Sequence, residues 1–76
     1  MSYGYSNRLI ELNNNADGSL LGVRLGRVCI ANDVPVSQVA GELKVSRQTV
    51  YNWFCGVSTP RTRYTVQELI DSLVAE

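Results

Sequence analysis

Four polar side chains between residues 47 and 52 have the chemistry needed to recognise base pairs. They are Arg47, Gln48, Tyr51 and Asn52. Arginine pairs with guanine, and glutamine or asparagine pairs with adenine, in the major groove of duplex DNA. Arg47 and Gln48 come first in the predicted helix and should project deepest; Asn52 follows one turn later, and Tyr51 could contact a phosphate or a thymine methyl group. An ordinary solvated helix face is the alternative interpretation of these residues.

These side chains need a helix that holds them outward, and residues 35–56 predict two short helices joined by a tight turn. Apolar residues recur at helical spacing along one face of each helix. Ser46 is expected to cap the second helix by accepting a hydrogen bond from its first turn. Ala40 is expected where two steeply crossed helices bring their backbones together. The apolar faces consist of Val39, Ala40 and Leu43, then Val50, Trp53 and Phe54.

The combined pattern resembles the phage repressor and Cro helix-turn-helix family, the lambda-repressor-like DNA-binding domains, over residues 20–73. The resemblance implies an all-α fold: a compact bundle of four to five helices around a central helix-turn-helix. It also implies sequence-specific binding of double-stranded DNA by a phage or prophage transcriptional regulator, as a homodimer on a palindromic operator. The residues that carry the resemblance are Leu21, Gly22, Leu25, Val39, Ala40, Val45, Ser46, Val50, Trp53, Gly56 and Pro60.

A second set of polar residues is expected to contact the DNA backbone, because phosphate contacts supply much of the affinity for DNA. The family usually has a phosphate-gripping glutamine at the position of Val36, and Ser37 and Gln38 are expected to replace it. Lys44 stands where the family often has glycine, so we expect it in the left-handed conformation. A solvated polar loop is the alternative for residues 57–63. The set is Ser37, Gln38, Lys44, Ser46, Thr49, Ser58, Thr59, Arg61 and Arg63.

One departure from the family concerns the core. Many members hold a buried Arg–Glu pair where this chain has Cys29 and Phe54. Well-packed apolar groups often replace a buried ion pair without loss of stability. We therefore expect Cys29 and Phe54 to touch, and Phe54→Ala to cost more than about 2 kcal/mol of stability.

A first helix is predicted before this region, capped by Asp17 or Ser19 and running to Ala31. Gly22 and Gly26 are costly inside a helix, by roughly 1 kcal/mol each relative to alanine. Because they are four residues apart, they share one face, and this spacing predicts close helix packing there.

The two ends of the chain are less informative. Residues 1–18 are predicted to be a tail or lightly docked segment, whose apolar patch is either a short helical turn or an extended stretch; an arm that reaches DNA is the other possibility. Residues 19–76 are predicted to form the DNA-binding domain. Its final helix is expected to begin at Thr65, with Glu68 completing a capping box.

The charge distribution favours nucleic acid although the net charge is zero. Residues 24–63 contain six cations and two anions, a local charge of +4. The charged side chains after residue 63 are all acidic: Glu68, Asp71 and Glu76. This local positive charge is what attraction to phosphates requires.

Several functional classes are disfavoured. The chain has two cysteines and no histidine, so neither a metal site nor a disulfide scaffold is expected, and no cofactor is predicted. An enzyme is a poor fit because no acid–base pair or phosphate-binding glycine loop is recognisable. No membrane span or signal peptide is evident, which predicts a cytoplasmic protein, and the resemblance to phage regulators implies the cytoplasm of a bacterial host. The alternative function is an assembly module, such as a phage packaging subunit, or an antitoxin that binds a protein partner.

Overall fold

The computed structural model describes residues 5–75, and within that part of the chain it contains five α-helices and no strand. The all-α prediction is therefore confirmed. None of the helices in the described residues is long and apolar enough to cross a membrane. The helices are α1 (Asn7–Asn15), α2 (Leu21–Ala31), α3 (Val36–Leu43), α4 (Arg47–Phe54) and α5 (Arg63–Ala75).

One hydrophobic core receives side chains from all five helices. The central element is α2, which packs against α1, α4 and α5, while α3 packs against α4. Cys29 of α2 and Phe54 of α4 are both completely buried in this core. Burial raises the pKa of the Cys29 thiol from 9.0 to about 12, and the charge of Glu42 adds to the effect. Direct contact between Cys29 and Phe54 stays a prediction.

The two glycines of α2 lie where α4 approaches, and both are buried. A Cβ atom added to Gly22 would lie 2.6 Å from Trp53 Cβ. One added to Gly26 would lie 2.8 Å from Phe54 Cγ and 2.6 Å from Asn13 Nδ2. The predicted close packing is confirmed, since an added methyl group at either glycine would overlap atoms of Trp53, Phe54 or Asn13 unless they moved.

The N-terminal segment differs from the prediction of a tail or lightly docked stretch. Residues 7–15 form α1, whose start is capped by Ser6, and Leu9 contributes to the core. Tyr5 stacks on Phe54 with ring centroids 6.2 Å apart, and its hydroxyl donates to the Val34 carbonyl. The helical alternative for the apolar patch is the one found, and the segment is held more firmly than expected because its burial depends on contacts with α2 and α4.

Asn13 is the buried polar residue that fastens α1 to the rest of the bundle. Its Nδ2 atom donates to the carbonyl oxygen of Phe54 at 2.8 Å and to that of Val23 at 3.2 Å. Its Oδ1 atom is buried without a hydrogen-bond partner. One side chain therefore satisfies a carbonyl at the end of α4 and another inside α2, and it joins three helices.

Local signals predicted several helix ends correctly. The Ser46 hydroxyl caps α4 by accepting a hydrogen bond from the Thr49 backbone N–H at 3.1 Å. Lys44 ends α3 in the left-handed conformation, with φ of 56°. Gly56 follows α4 with φ of 78°, as expected for a glycine that stops a helix.

Two other helix starts were predicted wrongly. Asp17 Oδ1 accepts hydrogen bonds from the backbone N–H and hydroxyl of Ser19, so neither residue caps α2, which follows Leu20 without a side-chain cap. The final helix begins at Arg63, and the Val66 N–H already donates to the Thr62 carbonyl. Thr65 therefore lies inside α5, and Arg63 belongs to the helix rather than to the preceding loop.

Candidate nucleic-acid interface

The outer face of α4 carries the residues predicted to contact bases. Its inner face is formed by Val50, Trp53 and Phe54, which are buried. Arg47 and Gln48 are exposed at the start of the helix, as the sequence predicted. Tyr51 and Asn52 are half-buried, and Tyr51 packs partly against the core. The set therefore occupies the solvent side of one helix, with Arg47 and Gln48 more exposed than Tyr51 and Asn52.

Two of these side chains form a hydrogen-bonded pair at the centre of the outer face. Gln48 Nε2 donates to Asn52 Oδ1 at 3.0 Å, across one turn of α4. The bond fixes the direction of both amide groups. The other polar atom of each amide, the Gln48 oxygen and the Asn52 nitrogen, is an acceptor and a donor respectively. Adenine presents one acceptor and one donor in the major groove, which an amide oxygen and an amide N–H group complement.

The turn before α4 and the helix before it hold the first group of predicted backbone contacts. Lys44 is exposed at the left-handed turn position. The hydroxyl groups of Ser46 and Thr49 lie 2.8 Å apart and bond to each other. Ser37 and Gln38 are exposed in the first turn of α3, where no side chain caps the helix. All five can meet solvent, although the Ser46 hydroxyl is already used for capping.

The segment after α4 carries the second group of predicted backbone contacts. The Asn52 carbonyl accepts hydrogen bonds from the N–H groups of Val57 and Ser58, so the segment begins in a fixed position against α4. Ser58, Thr59 and Arg61 are exposed.

Thr59 and Arg63 also line a cleft of about 590 Å³ between this segment and the starts of α2 and α5. Arg24 of α2 lines the same cleft. No acidic side chain is among its lining residues. Arg63, which was expected in the loop, therefore lines the same cleft as Arg24 of α2. The sequence predicted no DNA contact for α2.

Sequence reasoning missed α1 as a neighbour of α4. A groove of about 320 Å³ separates the two helices, and Gln48 and Tyr51 line it from the α4 side. Leu9, Leu12 and Arg8 are among the residues that line it from the α1 side. A signal was present, since the capping serine and the four-residue spacing of buried side chains in α1 are helical. The run of asparagines that ends α1 hid this signal, because asparagine is typical of loops.

The chain was compared with models of protein families, with curated proteins and with solved structures, and none of them matches it.

Proposed function

We propose that this protein binds double-stranded DNA in a sequence-specific manner by placing α4 in the major groove. The observation that carries the proposal is the division of α4 into a fully apolar inner face and an outer face of base-complementary side chains. Arg47 and the Gln48–Asn52 pair supply the donors and acceptors. The inner face fixes the orientation of the helix, since Val50 and Phe54 are completely buried.

The proposed geometry also explains how α4 stays in place when it enters the groove. Gly22 and Gly26 let α2 pack against the backbone of α4, and Asn13 holds the carbonyl of Phe54. A helix supported on its inner face in this way loses little conformational entropy on binding, which favours affinity. Phosphate contacts from the turn at Lys44 and the segment at Arg61 would then set its register on the duplex.

The physiological role that fits this chemistry is transcriptional regulation of the phage repressor or Cro type in a bacterial cytoplasm. A single eight-residue helix reads few base pairs, and a twofold dimer on a palindromic site doubles the contacts. The exposed apolar side chains of α5 favour such a dimer: Tyr64 is 89% exposed and Val74 is 66% exposed. Sedimentation with and without DNA tests the dimer, and a ring-sized assembly would favour a packaging subunit instead.

The experiment that tests the function is selection of bound sites from a random pool of duplex DNA, followed by titration of Arg47→Ala on the selected site. Loss of a bidentate arginine contact should cost about 1–3 kcal/mol, or about 5–150-fold in affinity, and relax discrimination at one base pair. Arg27→Ala is the matched control, because its guanidinium donates to the carbonyls of Asn14 and Ala16. If the pool yields no preferred sequence, or if Arg47→Ala keeps full discrimination, the proposal is wrong.

A further inference from the structure

The groove between α1 and α4 places one cation beside the proposed base-reading residues. Arg8 is the only lysine or arginine among the first 23 residues of the chain. It is exposed, and it lines the groove together with Gln48 and Tyr51. No acidic side chain lines this groove, whose remaining walls are Ser6, Leu9 and Leu12.

The position of Arg8 is determined by the way α1 is anchored. Asn13 bonds to the carbonyl at the end of α4, and Tyr5 stacks on Phe54 at the other end of the segment. Ser6 caps α1 by accepting a hydrogen bond from the Leu9 N–H at 3.1 Å. With both ends of α1 fixed to the bundle, Arg8 has a defined place next to α4.

We propose that Arg8 binds a phosphate of the DNA backbone next to the base pairs read by α4, so that α1 is a second DNA-contacting element. This inference rests on the proposed function. The eight residues of α4 span about 12 Å, which is about the width of the major groove. Arg8 lines the groove between α1 and α4 together with Gln48, which lies near the start of α4. Ser58 and Arg61 come after the end of α4 in the sequence. Arg8 would thus add a phosphate contact on the α1 side of α4, separate from the contacts expected of the segment that follows α4.

The chemistry of arginine suits this role. A planar guanidinium forms bidentate, charge-assisted hydrogen bonds with phosphate oxygens. Such a contact carries no base information, so its loss weakens binding to all sequences alike. It also releases counterions from the duplex, and each phosphate neutralised contributes about 0.9 to the slope of log K against log salt concentration.

The test measures the salt dependence of binding for Arg8→Gln, which keeps a long polar side chain and removes the charge. Fluorescence anisotropy is recorded on the selected duplex and on a random-sequence duplex between about 50 and 200 mM salt. We expect weaker binding to both duplexes, a slope smaller by about 0.9, and an unchanged base preference. Arg8→Lys should keep most of the slope.

Arg27→Gln is the matched control, since it removes the same charge from an exposed arginine that bonds near the other end of α1. It should leave the slope close to that of the unmodified protein. Thermal unfolding of each variant confirms that the fold is retained. An unchanged slope in Arg8→Gln would overturn the inference, as would a change in base preference at one position.

The outcomes for this inference and for the proposed function are distinguishable. If the protein binds both duplexes equally and Arg8→Gln still lowers the slope, the phosphate contact stands and sequence-specific recognition fails. If a preferred site is selected but Arg8→Gln behaves like Arg27→Gln, the function stands and the role of Arg8 fails. Failure to bind any duplex overturns both.

Discussion

Substitution of Gly22 gives the sharpest test of how the bundle holds α4, because one methyl group there meets backbone atoms. An added Cβ lies 2.6 Å from Trp53 Cβ and 2.8 Å from the Trp53 carbonyl oxygen. Neither atom can move unless α4 moves, since both belong to or adjoin its backbone. The chain contains a matched control in Gly41, a glycine of α3 where an added Cβ meets nothing within 4 Å.

The expected magnitudes follow from comparing the two substitutions. Alanine gains about 1 kcal/mol of helix propensity over glycine at either position. The difference between the two variants therefore isolates the packing cost, which is about 1–3 kcal/mol for an extra methyl group in a well-packed interior. We expect Gly41→Ala to be more stable than the unmodified protein by about 0.4–1 kcal/mol. We expect Gly22→Ala to lie about 1–3 kcal/mol below Gly41→Ala.

Urea unfolding followed by circular dichroism and by the fluorescence of the single tryptophan, Trp53, measures both values. Trp53 is a good probe because it is buried on α4 beside Gly22. A difference of 1 kcal/mol also shifts the thermal midpoint by about 4–8 °C in a domain of this size. If Gly22→Ala proves as stable as Gly41→Ala, then α2 and α4 are not in close contact there, and the argument from helix spacing is refuted.

Three further predictions concern the core and the two cysteines. Phe54→Ala should lower the free energy of unfolding by about 3–5 kcal/mol, because the ring is completely buried; a loss under about 2 kcal/mol in urea unfolding would contradict the packing described. The raised pKa of Cys29 means that the folded state keeps a proton that the unfolded chain loses, so stability should fall as the pH rises from 9.0 to about 12. Urea titrations across that range should show a smaller decline for Cys29→Ala, and an identical decline would argue against thiol burial. At neutral pH, iodoacetamide should modify the half-buried Cys55 before Cys29, as read by mass spectrometry.

Features that depend on a few neighbouring residues could be predicted from the sequence. The spacing of Val50, Trp53 and Phe54 predicts one apolar face of a helix, and Ser46 predicts where the helix starts. Lys44 stands where the family often has glycine, which predicts a left-handed residue at the end of α3, and its φ is positive. These predictions succeed because helical periodicity and capping are decided within one or two turns of the chain.

The predicted helix starts failed where a residue suited to capping a helix was placed differently by the surrounding chain. Asp17 has the right side chain for a helix cap, but its carboxylate bonds to Ser19 in its own loop. Thr65 and Glu68 have the spacing of a capping box, yet the helix is already established at Arg63. Sequence spacing does not show which of two competing hydrogen bonds forms, because their energies are similar.

The outward polar face of α4 and the need for close packing at Gly22 followed from the order and types of the residues, and the all-α class followed from the family resemblance that those residues carry. The tertiary structure decided which surface meets Gly22, how Asn13 joins three helices, and that Arg8 lies beside Gln48. The physical reason is range. Helix formation is governed by neighbours three or four residues apart, whereas Gly22 meets Trp53, 31 positions away, and Asn13 bonds to Phe54, 41 positions away.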